Sequence, residues 1–304
     1  MHRLLRVLAV VGSLVAVAGC AQSAPELASQ AELQKVDPCS LLDELPAGWT
    51  ESAQTYDYCA YDAGEFHLRL HLSTAEEVQA QADRKATSTD DGVMYQDAAH
   101  PCWRLTVSDD GIPVTLGRPD DDTKEADCPG LQEAATTVLA STSEPAGRRD
   151  LTLPPELLDA RVCDALTASP DLQKSFGLDG PPVPDTATGR SCTARSGGRE
   201  VHFSIEPVAT TDPLALGTDV SGSGLAITGD RPLRPPSSGR YPSVHSAGYE
   251  VFIKDPIGRC VLGVPYRSTE AADPAEQPGL AVYGLTDCET AAPAAGELLA
   301  AAVR

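Results

Sequence analysis

The chain has 304 residues, a formal net charge of −21, nine cysteines and only 5% aromatic residues. Such acidity argues against nucleic-acid phosphates as partners and against attraction to anionic lipid headgroups. The length allows two domains. With 25 Gly, 25 Pro and few large apolar side chains, small loop-rich domains stapled by disulfides are expected, rather than one large core.

Arg3 and Arg6 precede an uncharged, mostly apolar run from Val7 to Ala18, and Gly19-Cys20 follows. The run is too short to span a bilayer as a helix and has the layout of a secretory signal. Val17-Ala18-Gly19-Cys20 resembles the lipobox of bacterial lipoproteins. That resemblance implies removal of residues 1–19 and a diacylglyceryl thioether on Cys20, which places the protein on the extracytoplasmic face of the cell membrane. Residues 20–36 are small and polar and read as a tether, with a short helical lead-in over Ala31–Val36.

The other eight cysteines fall into two sets of four: Cys39, Cys59, Cys102 and Cys128, then Cys163, Cys192, Cys260 and Cys288. The two halves align around them. The expected organisation is a first α+β domain over 37–140, a linker over 141–158 and a second α+β domain over 159–304. Each has a small antiparallel sheet, an N-terminal and a C-terminal helix, and two disulfides. Cys39 and Cys163 each open a short helix. Cys59 and Cys192 each lead through a Gly-containing turn into an alternating strand. In the first copy Phe66, Leu68, Leu70 and Leu72 face one way and Glu65, His67, Arg69 and His71 the other; in the second, Val201, Phe203 and Ile205 alternate with Glu200, His202, Ser204 and Glu206. One buried and one open face are implied.

Ser73-Thr-Ala-Glu76 has a capping-box pattern and predicts a helix to about Ala86. The second copy carries instead a Gly/Pro/Ser-rich loop over 207–247, with one strand near Leu225–Thr228. Cys102 and Cys260 begin further strands, and Ile112–Leu116 and Leu280–Tyr283 follow. Asp127 and Asp287 are N-cap candidates. They open helices carrying Leu131, Ala134, Ala135, Val138 and Leu139 in one copy, and Ala291, Ala295, Leu298, Leu299 and Ala302 in the other.

Each set of four cysteines allows three pairings. Pairing of neighbours is favoured: Cys39–Cys59, Cys102–Cys128, Cys163–Cys192 and Cys260–Cys288. No CxxC or paired Cys/His spacing points to a metal, and no cofactor is implied. His67 and His71, with Arg69 between them, and His202 at a similar place in the second copy, are weak candidate binding residues; a solvated sheet face is the plainer account. Trp49, in a Pro-Ala-Gly loop, is balanced between partner anchor and core, and Trp103 is read as core. No GxSxG or HExxH occurs, and no catalytic residue stands out.

Asp37-Pro38-Cys39-Ser40-Leu41-Leu42, the later cysteines and the Asp127-Cys128 helix resemble a family of actinobacterial cell-envelope lipoproteins whose domain has no assigned function. The second half, from Arg161-Val162-Cys163-Asp164-Ala165-Leu166, resembles a diverged copy. The resemblance implies an envelope location and a small α+β domain, and carries no catalytic residue. A looser likeness to extracytoplasmic sensor domains is analogy alone. The leading expectation is a non-enzymatic ligand-binding or sensing module, partnered by a small ligand or an envelope protein and by no nucleic acid. An accessory subunit docking a membrane or secreted protein comes second, and an envelope hydrolase third.

Overall fold

Two seven-stranded sheets, both wholly antiparallel, organise the computed structural model, which describes residues 26–63, 66–81, 84–97, 100–117, 128–143, 150–209, 241–254, 260–266 and 276–304. With seven α-helices among the described residues, the protein is mixed α/β. Cys20 and the leader lie outside the described residues. No helix among those described is long and apolar enough to cross a membrane.

In the first half α1 (Gln30–Leu33) is followed by a 3-10 turn, Pro38–Leu42, which carries Cys39. The strands are β1 (Trp49–Gln54), β2 (Tyr58–Ala63) and β3 (Phe66–Leu72), then, after α2 (Ala75–Ala80), β4 (Lys85–Thr89), β5 (Gly92–Asp97), β6 (His100–Ser108) and β7 (Pro113–Gly117). Helix α3 (Leu131–Ser143) closes the unit. The expected leucine stripe on β3 is fully buried; Leu131, Ala134 and Val138 of α3 share its core, and Ala135 and Leu139 are also buried. Apolar residues at helical spacing meet apolar residues at period two, which is why one face of each element disappears from water.

The second half follows short helices α4 (Pro155–Leu158), α5 (Val162–Ala168) and α6 (Pro170–Ser175). Its strands are β8 (Val183–Pro184), β9 (Ser191–Ser196), β10 (Arg199–Ala209), β11 (Ser243–Ser246), β12 (Tyr249–Lys254), β13 (Cys260–Pro265) and β14 (Glu276–Leu285), and α7 (Cys288–Ala302) ends the chain. Gly197 and Gly198 turn β9 into β10 with φ of 57° and 78°. That is the left-handed pair a two-residue hairpin loop requires. Val201, Phe203 and Ile205 are fully buried beneath the helices, with Phe203 edge-on to Phe176 at 5.0 Å. Asp287 caps α7 by accepting from the Thr290 amide at 3.1 Å.

The sheets read β1-β2-β3-β7-β6-β5-β4 and β8-β9-β10-β14-β13-β12-β11, the same order shifted by seven strands. Their registers also coincide. Cys59 faces Leu70, Leu70 faces Leu116, and Leu116 faces Arg104, two residues after Cys102. Cys192 faces Phe203, Phe203 faces Val282, and Val282 faces Leu262, two residues after Cys260. Cys39–Cys59, Cys102–Cys128 and Cys260–Cys288 are disulfides, with Cα separations of 5.1–5.2 Å.

Several sequence expectations are corrected. Cys163 and Cys192 are buried thiols, not a bridge. The segment ahead of residue 37 is not a free tether over its described part: Ser29 and Glu32 form a capping box on α1, Leu33 and Val36 are buried, and Val36 pairs with Asp150. The first half opens on a 3-10 turn, because Asp37 caps at Cys39 and Pro38 starts the turn. The helix after β3 begins one residue late and ends early. The Ser73 hydroxyl is spent on Thr115 at 2.7 Å, so Thr74 and Glu77 make the cap. The Lys85–Thr89 segment, with two β-branched threonines, then pairs with β5 instead of continuing the helix. Strands β1, β4, β5, β8 and β12 have no counterpart among the elements the sequence predicts. Helix α3 runs to Ser143 and α4 occupies Pro155–Leu158, both inside the expected linker. The expected 207–247 loop is strand at both ends, through Ala209 and from Ser243 to Ser246. Asp127 and Leu225–Thr228 lie outside the described residues.

Candidate functional site at the seam between the halves

Residues Thr55-Tyr56-Asp57-Tyr58-Cys59 and Thr188-Gly189-Arg190-Ser191-Cys192 hold the two halves together. Each is a short turn entering the cysteine-bearing strand, and each turn is made the same way. The Thr55 hydroxyl accepts from the Asp57 amide at 3.2 Å, and the Thr188 hydroxyl accepts from the Arg190 amide at 3.2 Å. These threonines thus satisfy backbone donors that would otherwise be buried unpaired. Two residues before its cysteine, one half places a carboxylate and the other a guanidinium, and the two meet.

Arg190 and Asp57 form an ion pair at 2.9 Å with side chains 0% and 1% exposed. Arg190 also donates to the carbonyls of Gln34 at 2.9 Å and Tyr56 at 3.0 Å, and the Thr188 hydroxyl donates to Asp57 at 2.7 Å. Gln30 and Gln34 amides both reach the Thr188 carbonyl at 3.0 Å, and the Ala187 amide donates to Leu72 O at 3.0 Å. A buried guanidinium is tolerated only when paired and bonded in this way. Asp57 Oδ2 is left without a partner.

Beside this clamp lies a polar field drawn from both halves. Asp185, just after β8, is hydrogen-bonded by Thr193 and feels His202, Asp57 and Arg69; burial pushes its carboxyl up. Burial likewise pushes Glu206 on β10 up to about 8, against the opposing pull of Lys254. Tyr283 donates its hydroxyl to Glu206. Tyr58 is raised, first by burial, and its ring carries the Arg69 guanidinium at 4.4 Å. The His202 ring lies 2.8 Å from the Thr193 hydroxyl and 3.8 Å from Glu200. Half-buried carboxyls that resist ionisation, ringed by cations and phenols, are typical of binding and catalytic surfaces.

The candidates from sequence divide. The charges of Arg69 and His202 are both felt by one carboxyl, Asp185. His67 does not join them: its side chain is 83% exposed and rests on Asp62 at 2.6 Å. His71 lies beside Glu77 at 3.5 Å, with Nδ1 buried and unbonded. Trp49 is buried, and its indole donates to Pro129 O at 2.9 Å, so it packs the first core. Trp49→Phe is expected to cost about 1 kcal/mol through that bond and Trp49→Ala about 3–5 kcal/mol, read by urea denaturation.

Asp57, Asp185, Arg190, Glu206 and Tyr283 escaped sequence reading. Thr at −4 and a charge at −2 from the second cysteine of each half were the available signal. An open hollow of about 590 Å³ at the start of α3, lined by Arg104, Cys128, Gln132 and Thr136 among others, shares no residue with the seam. Its Arg104 is already bonded to Gln132 and to the Pro101 and Trp103 carbonyls, so the seam is the stronger site. No cluster of metal-ligating side chains occurs among the described residues. No family model, curated protein or solved structure matches the chain.

Proposed function

We propose that this protein is a lipid-anchored, extracytoplasmic binding or sensing module, built as two copies of one disulfide-bonded α+β domain. Shared strand order, cysteine register and Thr-x-charge-x-Cys turns support the duplication. The observation that carries the binding reading is the seam, clamped by the buried Asp57–Arg190 pair, where Asp185 of one half feels the charge of Arg69 from the other and Tyr58 feels that of Glu206. Mixed charges and phenols fit a small polar, zwitterionic or hydroxylated ligand better than an apolar one. The accessory-subunit alternative is weakened by the surface, where Val183 is the exposed large apolar residue among those described. The hydrolase alternative draws on the Thr193–His202–Glu200 line, but His202 is exposed and the Thr193 hydroxyl already serves Asp185.

The test is native mass spectrometry of protein extracted from its membrane, followed by thermal-shift titration of whatever small molecule is released. A polar compound should raise Tm in the wild type, and Arg69→Ala with Asp185→Asn should abolish the shift. In vivo crosslinking that captures a single membrane protein equally well with both variants would overturn the reading. Separately, Cys20→Ser is expected to move the protein from the membrane fraction to the supernatant, read by fractionation and immunoblot.

A further inference from the structure

Cys163 and Cys192 sit where Cys39 and Cys59 sit in the other half. Cys39 Sγ lies 3.8 Å from the carbonyl of Tyr58, the residue before its bridge partner. Cys163 Sγ lies 3.4 Å from the carbonyl of Ser191, the residue before Cys192. Both residues are buried, 4% and 0% exposed, and the neighbouring Cys163 thiol pushes the Cys192 thiol up. Between β8 and Cys192 runs the segment Asp185–Ser191, which carries Ala187, Thr188 and Arg190, the residues that dock the first half. The Cys163 amide is bonded to Gly189 O within the same segment. The cysteine pair therefore straddles the base of the docking loop.

We infer that Cys163 and Cys192 are an oxidisable pair whose closure into a fourth disulfide locks the Asp185–Ser191 loop in its docked conformation. The bridge forms by exchange with an external disulfide, either glutathione disulfide or a protein oxidant. The Cys163 thiolate attacks one sulfur of that disulfide, breaking its S–S bond and releasing one thiolate. Cys192, deprotonated, then attacks the Cys163 sulfur of the mixed disulfide and expels the second thiolate. The pair loses two electrons and two protons; the oxidant gains both and leaves as two thiols. Entry at Cys163 follows from its greater exposure. The neighbouring thiol and burial both hold the Cys192 thiol protonated until the second step. The bridge ties α5 to β9, so the loop between β8 and β9 loses the freedom to peel away from Leu72 and Asp57.

The inference does not depend on the ligand at the seam. Its test uses the purified protein in glutathione buffers, with acid quench, alkylation under denaturing conditions and peptide mapping. Hydrogen exchange at the Ala187 amide is followed in parallel. Oxidising buffer should yield a linked Cys163–Cys192 peptide. The Cys163→Ala/Cys192→Ala variant, which keeps the other three bridges, should exchange at Ala187 at least tenfold faster than oxidised wild type, with the α7 amides unchanged. Two fully alkylated thiols in oxidising buffer would overturn the bridge. A linked pair with an unchanged Ala187 rate in the variant would overturn the lock. Should the double variant fail to fold, wild type oxidised and then opened at this pair by graded reduction gives the same exchange comparison.

Discussion

Arg190→Ala is expected to lower the unfolding free energy by about 3–5 kcal/mol, because it strands the Asp57 carboxylate in a dry interface. Asp57 is 1% exposed, and one of its oxygens already lacks a partner. Asp57→Ala should cost a similar amount by stranding Arg190, whose donors to Gln34 and Tyr56 cannot neutralise its charge. Removing both charges together, as Asp57→Leu with Arg190→Met, is expected to recover most of the loss, since a well-packed apolar pair is often as stable as a buried ion pair. The most telling variant is the exchange Asp57→Arg with Arg190→Asp. If the halves meet through equivalent turns, the swap keeps opposite charges in contact and retains more stability than either single change, which buries two like charges. Urea denaturation read by tryptophan fluorescence and by second-half hydrogen exchange measures the wild type, these variants and the single changes Asp57→Arg and Arg190→Asp. A swap no better than the worse single substitution would show that the two turns are not interchangeable.

Raising the pH from 5 to 9 is expected to destabilise the wild type by roughly 2–5 kcal/mol relative to Glu206→Gln. The sign follows from where the proton sits. In the folded protein Glu206 titrates near 8, pushed up by burial, whereas an unfolded glutamate titrates near ~4.3. The native state thus holds more protons than the unfolded state across that window. The stabilising contribution is full below the unfolded value and is lost as pH rises through the folded one. Glutamine keeps a neutral partner for Tyr283 and cannot ionise, so its stability should stay flat over the same range. Asp185→Asn should act in the same direction and more weakly. On the acid side the order reverses: Glu77 is held below its ordinary value, burial being outweighed by His71 and the Thr74 cap, so its contribution fades as pH falls through that lowered value. Denaturation midpoints taken every half unit of pH would reveal both limbs. A wild type as flat as Glu206→Gln above pH 6 would refute the assignment.

Much of each half was legible before any coordinate. The period-two run on β3 and its partner on β10, the five apolar positions of α3 and of α7, the Asp287 cap and three neighbour disulfides all appear where the residues point. Those features depend on neighbours within a turn or a hairpin, where side-chain spacing alone decides which face is buried. Strand β4 escaped because its residues are polar and its single partner, β5, supplies its pairing. Trp49 read as a loop residue because the strand it opens has no alternation to announce it.

The sequence by itself determined the buried faces of β3, β10, α3 and α7, three of the four expected bridges and the matching cysteine order of the halves, since all of these are written in local spacing. Only the tertiary structure decided the seam. Asp57 and Arg190 lie 133 positions apart, and nothing in the spacing of either turn says that one will meet the other. Each turn is presented by its own sheet, so the contact is a property of two assembled surfaces. The same holds for Asp185 and Glu206, whose reluctance to ionise comes from the water that packing removes and not from any adjacent residue in the chain.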